Sequence, residues 1–360
     1  MASVRQIAGE AGVSITTVSR ALNNDPSVHP KTRDQILAIA NRRGYAPSIG
    51  RRVTTQIGFV YTQEMTLAHP YDSAVLEGVV RGLEEQHFDV VILNLQRDKR
   101  AGESYTQFFM RKGVRGVVIR TMAATRDVCQ VIADEGFPHV VVSERFDAST
   151  KVNCLDCNSL ANSQSAVEYL IALGHRRIAF AMHNVPDRDH LDRFEGYQKA
   201  LNLKGIPFDP GIVYRQPFTL SGGATCIEMI ASQADRPTAV YFADPLLGVG
   251  AIKKAHAIGM RIPDDLSIVG FDDTDMRFAV HPTMTAVCQD ARALGYEAAL
   301  WLTRSFSGVG DKILRKAVPT YFEINESTGS VSRAPKEGVR SAGVMSTSRH
   351  SRQSRASSAS

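Results

Sequence analysis

Apolar residues recur at helical spacing through the first fifty positions and at strand spacing after them. Ile7, Ala8 and Ala11 form one face of a first helix, and Gly12 supplies the backbone freedom of a sharp inter-helix turn. Ser14 is a good N-cap for a second helix, in which Val18 and Leu22 point inward. Ile15, Thr16, Ser19 and Arg20 are left facing out. A third helix is predicted over about 30–43, opening at Pro30 and ending before Gly44. From Ile57 the period changes. Apolar strand runs at 57–61, 89–93, 116–119 and 139–142 alternate with helical stretches near 72–86, 102–112 and 125–135. The rhythm restarts after residue 158. Helices near 159–173, 191–204, 221–233, 246–258 and 291–305 alternate with strands at 177–181, 212–214, 239–242 and 266–271, followed by short strands up to Ile324. This alternation predicts an α/β chain: a three-helix head, then two lobes of doubly wound parallel sheet. Two such lobes in tandem make a cleft, and ligands bind beyond the carboxyl ends of the strands.

Charge divides the chain in the same places. Residues 1–56 carry eight Lys/Arg against three Asp/Glu, and residues 327–360 carry six against one, so the middle is acidic although the whole is +5. A small, dense basic head suits phosphate contact. A helix with a short polar face and one arginine suits the major groove. The Ser/Arg-rich stretch 327–360 has too little apolar content to order and is expected to be a disordered tail. Its charge leaves two roles open, weak non-specific attraction to DNA or none. Five scattered cysteines point to a reducing compartment. Cys154 and Cys157 form a lone CxxC with no second pair and no nearby His pair, which reads as buried thiols on a strand rather than zinc ligands. No apolar leader follows Met1 and no apolar run reaches membrane-spanning length, so a cytoplasmic location without membrane contact is expected.

Five motifs in order resemble the lactose/galactose repressor family over roughly residues 3–326. They are Ala11-Gly12-Val13-Ser14 with Thr17-Val18-Ser19-Arg20; Gly44-Tyr45-Ala46-Pro47; Gly174-His175-Arg176-Arg177-Ile178-Ala179; Arg193-Phe194-Glu195-Gly196-Tyr197; and the run from Ile262 to Asp273. The resemblance implies a helix-turn-helix head at 1–47 and a hinge at 48–56. It implies a periplasmic-binding-protein-like core, with one subdomain at 57–158 and 288–318 and the other at 159–287 and 319–326. It also implies an allosteric transcription regulator, a homodimer or tetramer on palindromic operator DNA. Base readout is expected from Ile15, Thr16 and Arg20, in agreement with their outward positions. Ser14, Thr17, Ser19, Asn23 and Thr32 are expected at phosphates. Arg193 and Asp272 would clamp adjacent hydroxyls of an effector, since each can make two hydrogen bonds. Phe218 would stack on a sugar ring, and Tyr71 would line the other lobe. Asp244 stands where the family commonly has Asn, and an acceptor-only charge there disfavours anionic effectors. The effector expected is a sugar or sugar derivative controlling carbohydrate uptake or catabolism genes. A nucleobase or amino acid effector is the alternative, as is a soluble sugar-binding protein without regulation.

An enzyme is not expected, and no cofactor or metal is implied. A dinucleotide fingerprint is missing between the first strand and helix, and Gly248-Val249-Gly250 falls within a helical pattern where packing explains it better. No nucleophile-elbow motif is present. The hinge departs from the family. Nine residues separate Pro47 from Ile57, a shorter run than the family pattern, and Ser48 replaces its Asn. Gly50 weakens a helix by about 1 kcal/mol relative to Ala. Val53, with Ile49 as second choice, is the expected minor-groove wedge. Val53→Ala is therefore expected to reduce operator bending and to weaken binding, read by gel mobility of permuted operator fragments. Wild-type bending would remove the wedge from Val53.

Overall fold

The computed structural model describes residues 3–22, 25, 27–43, 45, 54–63, 67–184, 188–307 and 313–331. The head is three helices, α1 (Val4–Ala11), α2 (Ile15–Leu22) and α3 (Pro30–Arg42). Each boundary has a local cause. Ser3 and Gln6 form a capping box at α1, and Gly12 closes it in the left-handed region at φ 67°. The Ser14 hydroxyl accepts from the Thr17 amide at 3.0 Å and starts α2. Ile7, Ala8, Val18, Ala21, Ile36 and Ile39 close a small core. Arg33 donates to the Asp25 and Val28 carbonyls at 2.6 and 2.9 Å and so ties down the turn before α3. The hinge residues 48–53, with Ile49 and Val53, lie outside the described residues, as does Asn23.

The first lobe runs β1 (Gln56–Tyr61), α4 (Pro70–Glu84), β2 (Asp89–Asn94), α5 (Leu95–Asp98), α6 (Tyr105–Arg111), β3 (Gly116–Arg120), α7 (Arg126–Asp134), β4 (His139–Val142) and β5 (Cys154–Cys157). The chain then crosses to the second lobe: α8 (Leu160–Ala172), β6 (Ile178–His183), α9 (Arg188–Leu203), β7 (Val213–Gln216), α10 (Leu220–Ser232), β8 (Ala239–Phe242), α11 (Pro245–Ala257), β9 (Ser267–Asp272) and β10 (Thr285–Gln289). It returns through α12 (Ala291–Ser305) and β11 (Arg315–Val318) and crosses a third time into β12 (Thr320–Glu323). The first sheet has the order β11-β5-β4-β3-β1-β2 and the second β12-β10-β9-β8-β6-β7. All described pairings are parallel except β10–β12. That exception departs from the expected parallel sheets. β12 enters its sheet directly from β11 through Pro319, with no helical crossover, so it runs against its neighbour.

Strand alternation splits each continuous apolar run between two cores. Ile57, Phe59 and Tyr61 of β1 face α4 and α12, while Val60 faces the α6–α7 side. In β8, Val240 and Phe242 face α10 and α11, while Ala239 and Tyr241 face α8 and α9. Cys154 and Cys157 sit in the two different cores of the first lobe, and burial pushes both thiols up.

Glycines set the closest helix contacts. A Cβ on Gly78 in α4 would fall inside the Arg292 carbonyl oxygen, and one on Gly295 in α12 inside that of Val75. The second lobe repeats the device. Gly223 of α10 meets the Leu247 carbonyl, and Gly250 of α11 meets that of Leu220. Gly250 is thus a packing glycine, as the helical pattern around it predicts.

The start of the tail differs from expectation. Residues 327–331 are packed, not loose. The Ile268 amide donates to the Ser327 carbonyl at 2.8 Å, the Val331 amide to Leu173 at 3.1 Å, and His175 Nε2 lies 3.0 Å from the Gly329 carbonyl. Short polar residues satisfied by backbone partners hold this segment, and composition carries no signal of such bonds. Residues 332–360 lie outside the described set.

Gly78→Ala is expected to destabilise the protein by about 1–3 kcal/mol, because backbone meets backbone and neither helix can yield alone. Urea unfolding would read it, and an unchanged midpoint would contradict this packing.

Candidate functional site

In the head, α2 exposes Ile15, Thr16, Ser19 and Arg20 on one side, and Val18 and Ala21 are buried on the other. Ile15 is 49% exposed, a large apolar side chain left in water on a short helix. Ser14 and Thr17, expected at phosphates, bond to each other through their hydroxyls at 2.8 Å, and Ser14 alone caps α2 by accepting the Thr17 amide. Thr32 is half-buried in the first turn of α3. The exposed face therefore consists of the three residues expected to read bases plus Ser19.

Between the lobes lies a cavity of about 490 Å³, within the range of small-molecule sites. From the first lobe it is lined by Gln63, His69, Tyr71, Asp72, Arg120 and Met122. The second lobe adds His183, Asp189, His190, Arg193, Phe218, Asp244 and Asp273. Most follow strand ends or open helices. Arg120 ends β3 and His183 ends β6; Asp72 lies in the first turn of α4, and Asp189 and His190 in that of α9. Parallel strands aim their carboxyl ends at one place, which is why these residues meet.

Arg193 is 4% exposed. Its guanidinium carbon lies over the Phe271 ring, 3.4 Å from the centroid, and Nη1 donates to the Ala243 carbonyl at 2.7 Å. Asp272, expected beside it, does not line the cavity. Its carboxylate accepts from the amides of Thr274, Met276 and Arg277 and from Arg277 Nη1 at 2.7 Å, so it shapes the loop after β9. The next residue, Asp273, turns into the cavity and takes a hydrogen bond from Gln289. Burial pushes the Asp273 carboxyl up to about 7, against the charges of Arg193 and His69.

Phe218 is not a bare platform. His183 stacks on it at 3.8 Å and His190 at 4.6 Å, between ring centroids, so the wall is three rings deep. Tyr71 is buried, with its hydroxyl bonded to Ser143 and the Arg120 guanidinium 5.0 Å from its ring. Arg120 Nε donates to Asp72 at 2.9 Å.

Among the described residues, ion pairs join the lobes at two places. Asp244 caps α11 through one oxygen, taking the Leu246 and Leu247 amides at 2.8 and 3.2 Å. Its other oxygen lies 3.0 Å from Nε2 of His69, which caps α4 in the opposite lobe. Burial would lower the His69 imidazole, but the hydrogen bond and charge of Asp244, with Asp273 and Asp72, raise it. Burial would likewise raise Asp244, and the His69 bond and charge outweigh it. The second fastening is Arg145, which bonds Asp156 on β5 and Asp192 on α9; Arg188 reaches Asp192 from its own helix at 2.9 Å.

Sequence reasoning missed Asp72, Arg120, His183, Asp189, His190 and Asp273. For the first five the available signal was position, at a strand's carboxyl end or a helix's first turn. For Asp273 there was none, because two adjacent aspartates give no hint of which one turns inward.

Comparison with known proteins agrees with this layout. Residues 3–48 match the bacterial regulatory proteins of the lacI family, and residues 167–328 match the periplasmic binding protein-like domain. The chain is 26% identical over 333 residues to the HTH-type transcriptional regulator DegA of Bacillus subtilis, covering 91% of this chain and 98% of that one. It is 27% identical to the HTH-type transcriptional repressor PurR of Haemophilus influenzae over 304 residues, 83% of this chain and 89% of that one. A solved complex of the regulator CelR with cellobiose superposes with a TM-score of 0.66 at 26% identity, covering 91% of this chain and 100% of that one. Among the described residues no helix is long and apolar enough to cross a membrane.

The His69 and Asp273 titrations act in one sense. His69 lends stability that is complete below its unfolded value of about 6.5 and lost as pH rises through its higher folded value. Asp273 ionises near 3.8 in the unfolded chain but only near about 7 when folded, so its contribution falls across that interval. Asp273→Asn is expected to gain in melting temperature relative to the parent as pH rises from about pH 4 to about pH 7, the buried His139 and His175, which burial holds low and which act in the opposite sense, being common to both proteins. A difference in melting temperature between Asp273→Asn and the parent that stays constant over that interval would contradict the Asp273 assignment.

Proposed function

We propose that this chain, which belongs to the lacI family of bacterial regulatory proteins, represses carbohydrate uptake or catabolism genes and releases or grips its operator when a sugar enters the interlobe cavity. It is a ligand-responsive DNA-binding transcriptional regulator, and its relatives are regulators rather than enzymes. The observation that carries the finer reading is the cavity itself. It is built from both lobes, with the buried side chains of Arg193 and Asp273 beside an aromatic wall. Fork-shaped and two-oxygen groups suit vicinal hydroxyls, and an aromatic wall suits a sugar's apolar face. Cellobiose in the CelR complex supports the same class.

Readout would run from the cavity to the head. A ligand that prefers one lobe angle shifts the population toward it, and the two heads of a dimer then change spacing. A dimer supplies the two half-site contacts that a palindrome requires. Leu67 and Val80, exposed about the outer face of α4, offer an apolar strip for a second copy. Base reading falls to Ile15, Thr16 and Arg20, with phosphate contact from Ser19, Ser14 and Thr17.

Operator binding in the presence of a sugar panel tests the reading. The expected result is a ligand-dependent shift in operator affinity, accompanied by thermal stabilisation. If nucleobases or amino acids stabilise the protein and sugars do not, the effector class is wrong. Arg20→Ala is expected to cost about 1–3 kcal/mol at the cognate operator and to relax discrimination at one base position. Equal loss on all sequences would make Arg20 a phosphate contact instead.

A further inference from the structure

The side chains that tie the lobes together each have a second partner inside their own lobe. Arg145 follows β4, and its side chain bonds both Asp156 on β5 of the same lobe and Asp192 on α9 of the other. Asp192 is fully buried, and Arg188, one turn earlier on α9, holds it at 2.9 Å. The Arg145 backbone is itself fixed within the first lobe. Its carbonyl accepts from Arg126 at 2.8 Å and its amide donates to Glu144 at 3.1 Å. At the cavity, Asp244 gives one oxygen to His69 and the other to the Leu246 and Leu247 amides of its own helix. His190, from the same lobe as Asp244, acts on that carboxylate as a positive charge. His69 in turn takes the Tyr71 amide on Nδ1 at 3.3 Å and so caps α4.

Breaking a buried ion pair so that one partner is stranded is strongly destabilising. A pair of that kind across the cleft would lock the lobes at one angle, whereas a switch needs two states close in free energy. Here parting the lobes strands nothing. Arg145 falls back on Asp156, Asp192 on Arg188, and Asp244 and His69 on the helix ends they cap.

We propose that these shared pairs form an exchangeable clasp, in which Arg145 and His69 set the resting lobe angle of the ligand-free protein. Arg145 acts through α9. Asp192 immediately precedes Arg193, and the same part of the helix carries Asp189 and His190 into the cavity, so the clasp also positions one wall of the pocket. Two opposite effects follow. Loss of a group that reaches across favours parted lobes. Loss of an in-lobe partner that competes for it favours the observed angle. The inference rests on the two-lobed core and on no particular effector.

The test uses the full chain without ligand. Nitroxide labels at Val131→Cys on α7 and Lys204→Cys beyond the end of α9 report one interlobe distance by pulsed electron resonance, with labelled chain diluted in unlabelled chain. Both positions are exposed, and the native cysteines are buried. Arg145→Met is expected to lower the ratio of observed to parted lobes about threefold to fivefold. Arg188→Met and Asp156→Asn, which remove the competing partners, should raise that ratio by a similar factor. His69→Asn, which keeps a capping side chain on α4, should lower it. Where the parent shows a single distance, the Arg188 and Asp156 variants are read on the His69→Asn background. A cluster that is only structural would lower the melting temperature in every variant without shifting the ratio in opposite senses. Shifts in the same direction for Arg145→Met and Arg188→Met, or no shift in Arg145→Met, overturn the clasp and leave the sugar reading in place.

Discussion

The core depends on one constraint: the chain passes between its two lobes three times, after β5, after β10 and after β11. Each passage is a few residues long. The Asn162 side chain donates to the Thr320 carbonyl at 2.9 Å, and Thr320 donates to the Asn158 carbonyl at 3.1 Å, so two of the passages are bonded to each other. The lobes cannot separate, and the tight glycine contacts within each lobe leave little room for internal sliding. What freedom remains is rotation about the passages. Cavity and interlobe fastenings both follow from that restriction.

The cavity is built on the same economy of position. Residues far apart in sequence, from Gln63 to Asp273, meet because parallel strands end on one side. Arg193 is oriented by Phe271 and the Ala243 carbonyl before any ligand arrives. Asp244 serves two ends at once, as helix cap and as partner of His69. A ligand entering here meets groups that are fixed and charged, and its charge must fit theirs.

Most of the architecture was legible because it depends on periodicity. The head helices and the two lobes follow from apolar spacing and from family motifs. Arg193, Phe218, Asp244 and Tyr71 were named from the family resemblance rather than from periodicity, and they line the cavity. What failed was finer than a period. Asp272 and Asp273 differ by one residue, and the direction of each is set by the loop amides and Arg277 that Asp272 collects. The packed segment 327–331 failed for another reason. Its order comes from hydrogen bonds to His175, Ile268 and Leu173, which no apolar pattern announces.

The helix α4 unites these features in one rod. Its first residue follows His69, which touches Asp244 of the other lobe; its middle is locked to α12 at Gly78; its outer face carries Val80. A rod fixed at its waist by backbone contact cannot bend there. Its N-terminal end reaches the pocket and its flank faces outward, so pocket and exterior are joined by one stiff element.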